Sequence, residues 1–229
     1  MKRILSIIAI AMLTVGGAYA QFEVTKFLGI PVDGSKAQMI QKLKAKGFVY
    51  NAQTDFLKGQ FNGYDVILGV ETNNDKVYRI VVMDENYVSE IDIKIRFNRL
   101  CSQMEKNGKY MKAKIYGDYT IPQYEDISYE MVVNKKRYEA AYFQLPQDPD
   151  STLIANEMQN FIDKTYGGYE ELAKLSEDDK EQASIDAMMH LYEIYSKNSV
   201  WFMINDRYGK YGIIMYYDNE NNQANGEDL

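Results

Sequence analysis

The sequence predicts an α+β protein built of two modules, each a helix followed by an antiparallel meander, the second carrying a helical insertion. Two observations lead to this fold class. A helix pattern followed by β-rich runs occupies 35–83, and the same order of elements returns over 89–218. Helical periodicity over 151–197 indicates the insertion. Such modules form a sheet with helices on one face and a second face that is free to meet solvent or a partner.

The first predicted helix has a recognisable signal at each end. Ser35 and Gln38 form a capping box at its start, and Gly47 ends it, with Phe48 placed to pack back over the last turn. Between these ends, apolar residues recur at helical spacing: Met39, Ile40 and Leu43.

Three predicted strands complete the first module. The runs 54–61 and 64–71 are joined by Asn62-Gly63, and a third run covers 76–83. Because an Asn-Gly pair between two β-rich runs is a strong short-range hairpin signal, we expect an antiparallel meander.

The second module opens with a stretch that fits two structures. The run 91–97 alternates polar and apolar residues, as a strand does. Over a longer window the apolar residues keep to one helical face: Ile93, Phe97, Leu100, Cys101 and Met104. With Ser89 as the N-terminal cap and Gly108 as the stop, we predict a helix, and this places Cys101 in the core.

Two further hairpins are predicted in the second module. One has strands at 128–133 and 137–144, and the other has strands at 200–205 and 211–218. Residues that favour turns separate the strands of each pair.

The insertion between these hairpins reads as two amphipathic helices. The first ends at Gly167-Gly168, and the second begins at Ser176 with acidic residues in its first turn. The residues expected to face inward are Leu153, Ile154, Met158, Phe161 and Ile162 in the first helix, and Ile185, Met188, Met189, Tyr192 and Tyr195 in the second.

The N-terminus predicts export. Lys2 and Arg3 precede an apolar run, and Ala18-Tyr19-Ala20 is the pattern that signal peptidase cuts. With no cysteine at the cleavage point, we expect a mature chain in the periplasm or the medium, without membrane insertion. The predicted organisation is a signal peptide at 1–20, a first module at 21–86, a second at 87–218 with its insertion at about 151–197, and a polar tail at 219–229.

Three stretches carry a resemblance to a known family. "FLGIPVDGSKAQMIQKLKAKGF" (27–48), "LKGQFNGYDVILGVE" (57–71) and "KVYRIVV" (76–82) resemble the helix-then-meander module of β-lactamase-inhibitor-protein-like (BLIP-like) domains, as found in exported Bacteroides-type proteins. The resemblance implies a tandem domain that binds a partner or assists envelope assembly and is not an enzyme. The inhibitory loops of that family have no counterpart, and the insertion departs from its pattern, so no functional residue is transferred.

The chain is poorly equipped for catalysis. No nucleotide-binding motif or nucleophile elbow is present, and the single cysteine, Cys101, cannot form an intrachain disulfide. The net charge of −7 and the lack of a sustained basic stripe argue against nucleic acid as a partner. We therefore predict no catalytic residue, no cofactor and no nucleic-acid partner.

Two patterns suggest a metal site, and each is incomplete. Asp186, His190 and Glu193 share one face of a predicted helix, but zinc needs a fourth ligand, and His190 is expected to face solvent. The tail from Asp218 has alternating oxygen donors, but it lacks the glycine and the glutamate of a calcium loop at positions 6 and 12. We predict no metal.

The remaining candidates are surface tyrosines. Tyr116, Tyr119 and Tyr124 lie in a predicted loop, and either contact a partner or pack under the loop onto the sheet. Tyr217, adjacent to Tyr216 in a strand, is the fourth candidate, because one of the two must face outward. We predict an exported, non-catalytic module that binds an unknown protein or envelope component; the alternatives are an exported hydrolase using acidic residues and a structural envelope protein.

Overall fold

The computed structural model describes residues 24–113, 117–146, 151–224 and 226. The predicted signal peptide, 1–20, lies outside these residues. The chain divides into two compact units. We name them the sheet unit, Val24–Leu145 with Lys197–Leu229, and the helical unit, Pro146–Ser196.

The strands of the described chain all belong to the sheet unit. They are β1 (Lys26–Phe27), β2 (Ile30–Pro31), β3 (Val49–Asn51), β4 (Phe56–Phe61), β5 (Tyr64–Asn73), β6 (Lys76–Asp84), β7 (Tyr110–Lys112), β8 (Glu139–Gln144), β9 (Ser199–Arg207) and β10 (Lys210–Asp218). β1 and β2 form a small sheet of their own. The other eight form one antiparallel sheet in the order β3-β4-β5-β6-β10-β9-β8-β7.

Both halves of the large sheet have the same order of elements. Helix α1 (Lys36–Ala45) precedes β3 to β6, and helix α2 (Glu90–Lys106) precedes β7 to β10, with a short helix α3 (Ile127–Val132) between β7 and β8. The halves join where β6 pairs with β10. The predicted α+β class with an antiparallel sheet is confirmed.

Helix α1 begins and ends where the sequence predicts. The Ser35 side chain accepts a hydrogen bond from the Gln38 N–H at 3.4 Å, and the chain leaves the helix through Gly47 at φ +97°. Phe48 then folds back, and its N–H donates to the Leu43 carbonyl at 3.2 Å. The three residues expected on the inner face are buried: Met39, Ile40 and Leu43.

The Asn62-Gly63 hairpin is confirmed. The two residues have φ of +50° and +80°, the conformation that a two-residue type I′ turn requires. In β4, a Cβ on Gly59 would lie 2.5 Å from the ring of Phe48. Glycine at this position therefore lets Phe48 pack directly on the strand.

Helix α2 confirms the helical interpretation of the ambiguous stretch. The Ser89 side chain accepts a hydrogen bond from the Asp92 N–H at 3.3 Å. The predicted face is buried: Ile93, Phe97, Leu100, Cys101 and Met104. Cys101 is 2% exposed, as expected of a core residue.

The strand predicted at 128–133 is wrong, because this stretch forms helix α3. The Asp126 side chain caps the helix by accepting the Tyr129 N–H at 2.8 Å, and the Glu90 carboxylate accepts the Ile127 N–H at 3.1 Å. These two contacts from outside the run override its β-type residues. The strand that pairs with β8 is instead the short β7.

Helices α1 and α2 pack on one face of the large sheet. Alternate residues of the long strands enter the core on that side. They include Leu57, Val66, Leu68, Val70, Ile80, Val82, Val200, Phe202, Ile204, Ile213, Met215 and Tyr217. We call the side formed by the intervening residues the second face.

A buried ion pair joins the sheet to helix α2. Arg96 Nε donates to Asp84 Oδ2 at 2.8 Å, and Nη2 donates to Oδ1. The same carboxylate accepts the Ile213 N–H at 2.8 Å. Arg96 Nη1 is buried without a hydrogen-bond partner in the described part of the chain, and the guanidinium lies 3.2 Å from the centre of the Tyr64 ring.

The helical unit contains α4 (Ser151–Tyr166), α5 (Tyr169–Lys174) and α6 (Glu177–Ser196). As predicted, α4 ends before Gly167-Gly168 and Ser176 caps α6, where its Oγ accepts the Asp179 N–H at 3.2 Å. Of the residues expected inward on α4, Ile162 is 2% exposed. The side chain of Leu153 lies outside the described part of the chain.

The predicted inner face of α6 is wrong at three of its five positions, since Tyr192 and Tyr195 are half-buried. Ile185, Met188 and Met189 are 48%, 67% and 52% exposed, whereas Ala183 and Ala187 are buried. Large apolar residues were expected inside because their burial contributes more free energy. The structure turns the small residues of α6 toward α4 and α5 instead.

We expect Arg96→Met to lower the free energy of unfolding by about 3–5 kcal/mol, because it leaves the Asp84 carboxylate buried without its cation. Urea denaturation followed by the fluorescence of Trp201, the single tryptophan, measures the change in the sheet unit.

Lys36→Met is the matched control. Lys36 pairs with Asp55, but the two side chains are 32% and 53% exposed, so its loss should cost less than about 1 kcal/mol. An equal decrease in the free energy of unfolding for Arg96→Met and Lys36→Met would contradict the larger contribution to stability that we assign to the Asp84–Arg96 pair.

Candidate functional site

The second face of the large sheet carries a continuous apolar surface. In the cross-strand register, Ile67 stands opposite Met83, Met83 opposite Ile214, and Ile214 opposite Met203. These four side chains are half-buried and cross four adjacent strands. We call the surface that they form, together with Phe56, Val81, Trp201 and Tyr216 in the next row, the apolar band.

The aromatic end of the apolar band lies on β9 and β10. Trp201 and Tyr216 are cross-strand neighbours, and their rings stack with centroids 4.0 Å apart and planes 16° from parallel. The Arg79 guanidinium packs 4.9 Å from the centre of the Tyr216 ring. Stacked aromatic and cation–π contacts of this kind hold side chains in one orientation.

A buried carboxylate fixes this arrangement. Arg79 donates from Nε to Asp218 Oδ1 at 2.6 Å and from Nη2 to Oδ2 at 2.8 Å. Trp201 Nε1 donates to the same Oδ2 at 3.0 Å. The hydrogen bonds from Arg79 to Asp218 raise the pKa of the guanidinium. Asp218 therefore orients the Arg79 cation beside the apolar band and the Trp201 indole within it.

A groove of about 520 Å³ opens at the β4–β6 end of the apolar band. Phe56, Val81 and Met83 contribute its apolar wall. Two of its polar residues are paired: Tyr78 Oη donates to Glu71 Oε2 at 2.8 Å, and burial is the main cause that raises the pKa of Tyr78.

Lys36 and Asp55 also line the groove. Lys36 donates to the Asp55 carboxylate, and Tyr50 Oη donates to it at 2.8 Å. The hydrogen bond from Lys36 is the main cause that lowers the pKa of Asp55. The groove thus combines apolar walls with oriented polar groups, the composition of sites that bind ligands or partner side chains.

The three loop tyrosines considered as partner contacts differ in what the structure shows of them. Tyr116 lies outside the described residues. Tyr119 is half-buried; its Oη donates to the Ala141 carbonyl at 3.1 Å and its ring lies 5.6 Å from that of Tyr142, so it packs onto the sheet. Tyr124 is 89% exposed, and its role in partner contact remains a prediction.

Tyr217 does not face outward. It is 4% exposed, its ring packs edge-on against Phe27 at 4.9 Å, and burial raises its pKa well above the usual value. Strand alternation sends its neighbour Tyr216 to the second face instead. The choice of Tyr217 as the outward residue of the pair is corrected.

The apolar band was missed by sequence reasoning, although a signal for it exists. β5, β6 and β10 contain the runs "VILGV", "IVVM" and "YGIIMYY", in which both alternating sets of residues are apolar. An antiparallel strand with one solvated face has a polar residue at every second position. Two-sided apolar strands therefore indicate a second face that is adapted to contact.

The three residues considered as metal ligands on α6, Asp186, His190 and Glu193, do not form a metal site. Asp186 accepts a hydrogen bond from Tyr166 Oη at 2.6 Å, while His190 Nε2 lies 3.0 Å from Glu157 Oε1. His190 is not solvent-facing, because its ring stacks on Phe161 at 4.6 Å and its side chain is 23% exposed. Within the described residues, no group of three His, Cys, Asp or Glu side chains is placed to hold a metal ion.

The start of the tail is structural. Asn219 is 1% exposed; its Nδ2 donates to the Val32 carbonyl at 2.9 Å. Asn222 Nδ2 donates to the Val77 carbonyl at 2.9 Å and to Asp33 Oδ1 at 2.8 Å. The polar residues after Asp218 therefore tie the end of β10 to the N-terminal part of the sheet unit.

Comparison with known proteins does not add a family. The chain matches no family model, and no curated protein or solved structure matches it. In the described part of the chain, no helix combines the length and the apolar character needed to cross a membrane. The geometry of the second face is therefore the basis on which a function can be proposed.

We expect Asp218→Asn to lower the free energy of unfolding by about 1.5–3 kcal/mol, because it removes a charged partner from the half-buried Arg79. The emission of Trp201 should shift as well, since the indole donates to this carboxylate. Glu71→Gln is the control, because Glu71 lies 3.8 Å from Arg79 with its side chain 43% exposed. An unchanged stability of Asp218→Asn would contradict the anchoring role of Asp218.

Cys101 should be inert in the native protein. Burial raises its pKa from 9.0 to about 12, and this lowers the fraction of reactive thiolate about a thousandfold. We expect an aromatic disulfide reagent at pH 8 to label the protein only after denaturant is added. Rapid labelling of the native chain, or a disulfide-linked dimer on a non-reducing gel, would contradict this prediction.

Proposed function

We propose that the chain is an exported, non-catalytic binding module that holds a protein partner on the apolar band. The observation that carries the proposal is the continuity of the band across four paired strands, from Ile67 to Met203. Contiguous apolar surface of this kind on a soluble protein marks an interaction site more often than scattered residues do.

The composition of the apolar band supports a protein partner. The centres of protein interfaces are enriched in tryptophan, tyrosine, methionine and arginine. Trp201, Tyr216, Met83 and Met203 lie on this face, and Arg79 borders it in a fixed orientation. Side chains held in place before binding lose little entropy when the partner arrives.

The groove beside the apolar band supplies a position for one anchoring side chain of the partner. Phe56, Val81 and Met83 would contact an apolar group, and the paired residues Lys36 and Asp55 would form a polar rim. A buried anchor surrounded by a polar rim is the usual layout of an energetic hot spot.

The architecture is compatible with the resemblance to BLIP-like domains. We propose two such modules in tandem, each a helix with four strands, joined through β6 and β10, with the helical unit inserted in the second. We further propose that a signal peptide at 1–20 directs the chain to the periplasm or the medium.

The buried carboxylates of the sheet unit give no specific support to the alternative of an acid-dependent hydrolase. Asp84 is engaged by Arg96, and Asp218 is engaged by Arg79 and Trp201. A glycosidase-type mechanism requires two carboxyl groups that face one substrate bond. These two acids instead serve packing.

Photo-crosslinking tests the proposal. A photoreactive amino acid placed at Met203, within the apolar band, should capture a partner in cells that export the chain. The same residue placed at Val49, which is 71% exposed on edge strand β3, should not capture it. The captured protein is then purified and titrated against the chain, with Trp201 fluorescence as the readout.

Charge variants complete the test. Ile214→Lys places a cation in the centre of the band and should weaken binding by at least about thirtyfold, as expected for a hot-spot position. Val49→Lys should leave the affinity unchanged. No capture from position 203, equal capture from position 49, or an unaltered affinity of Ile214→Lys would each refute the proposal.

A further inference from the structure

The helical unit contains an apolar cavity of about 150 Å³ between α4, α5 and α6. The residues that line it include Ile162 and Tyr166 from α4, Tyr169 and Leu172 from α5, and Ala183 and Ala187 from α6. A water-free cavity of this size is large enough to hold a single aromatic ring.

The cavity follows from the orientation of α6. Ala183 and Ala187 lie one turn apart and face α4 and α5, while Ile185, Met188 and Met189 are exposed. Protein interiors are normally packed to the density of organic crystals. Helix α6 turns its alanine methyl groups inward and its large apolar side chains outward. This orientation leaves empty space between the helices, which the larger side chains of the same helix could have filled.

Two polar side chains at the wall of the cavity, Tyr166 and Ser184, already have partners. Tyr166 Oη donates to Asp186 at 2.6 Å, and Ser184 Oγ donates to the carbonyl of Lys180 at 2.9 Å. Water needs two or more free polar partners to occupy a cavity. An apolar group therefore suits the space better than water does.

One residue in the wall of the cavity, Lys180, carries a charge whose ion-pair partner can change. Lys180 lines the cavity, and its ammonium pairs with Glu177 at 3.0 Å. The Lys180 side chain is 29% exposed and that of Glu177 is 84% exposed, so this ion pair lies at the boundary with solvent. An exposed pair at this spacing contributes little to stability, and Lys180 can exchange Glu177 for another carboxylate.

We propose that the helical unit is a small-molecule site that takes a compound with an apolar body the size of one aromatic ring and a carboxylate at its end. The ring occupies the space left by Ala183 and Ala187, and the carboxylate pairs with Lys180 at the mouth. This inference concerns the helical unit alone and does not rest on the function proposed for the sheet unit.

Calorimetric titration of the full chain with 3-phenylpropionate and with the matched neutral amide, 3-phenylpropanamide, tests both parts of the proposal. Both compounds should bind, the acid about three- to fivefold more tightly, as expected for a partly exposed ion pair. Lys180→Gln should remove this preference and leave the affinity for the amide unchanged.

Cavity-filling variants test the position of the ring. Ala187→Leu should abolish binding of both compounds, with the helical content measured by circular dichroism unchanged, and Ala183→Leu is the second variant if the first does not fold. Met188→Leu, on the exposed side of α6, is the control and should bind as the original chain does.

Three results would overturn the proposal. They are an original chain that binds neither compound, equal affinities for the acid and the amide, and a folded cavity-filling variant that retains full affinity.

Discussion

The pairing of β6 with β10 is the constraint on which the sheet unit depends, because it joins the two halves into one sheet. A buried aspartate stabilises each end of this seam. At one end Asp218 of β10 binds Arg79 of β6; at the other, Asp84 of β6 binds Arg96 of α2 and accepts the Ile213 N–H from β10. Buried ion pairs across a seam favour one register, since a slip would leave a charge unpaired.

The paired strands β6 and β10 contribute residues to both faces of the sheet. Toward the helices, the alternate residues of β6 and β10 fill the core. On the second face, the intervening residues Met83 and Ile214 lie in the middle of the apolar band, and the Asp218 carboxylate orients Trp201 within the band and Arg79 beside it. A surface supported by paired strands and a buried charge is rigid, so the partner that we propose would meet a preformed contact area.

Sequence reasoning succeeded where the signal was local. Ser35, Asn62-Gly63 and Ser89 each act through the backbone of their immediate neighbours, and the helices and the hairpin that they predict are present. It failed over 128–133, where Glu90, distant in sequence, accepts the first N–H of α3 in addition to the local cap by Asp126. The candidate site was missed because loop tyrosines were preferred over the two-sided apolar strands that carry the band.

Two features depart from the usual pattern of burial, in which large apolar side chains lie inside and polar ones outside: the apolar second face and the inward alanines of α6. In the sheet unit, apolar residues such as Ile214 occupy positions at which a solvated face would carry polar ones; in the helical unit, Ala183 and Ala187 occupy inner positions that larger neighbours on the same helix would fill. Each arrangement forgoes stability that a different choice of residue would supply. Positions where a chain departs from the locally favourable choice are those expected to serve binding. The second face and the cavity therefore both support the binding roles that we propose for them.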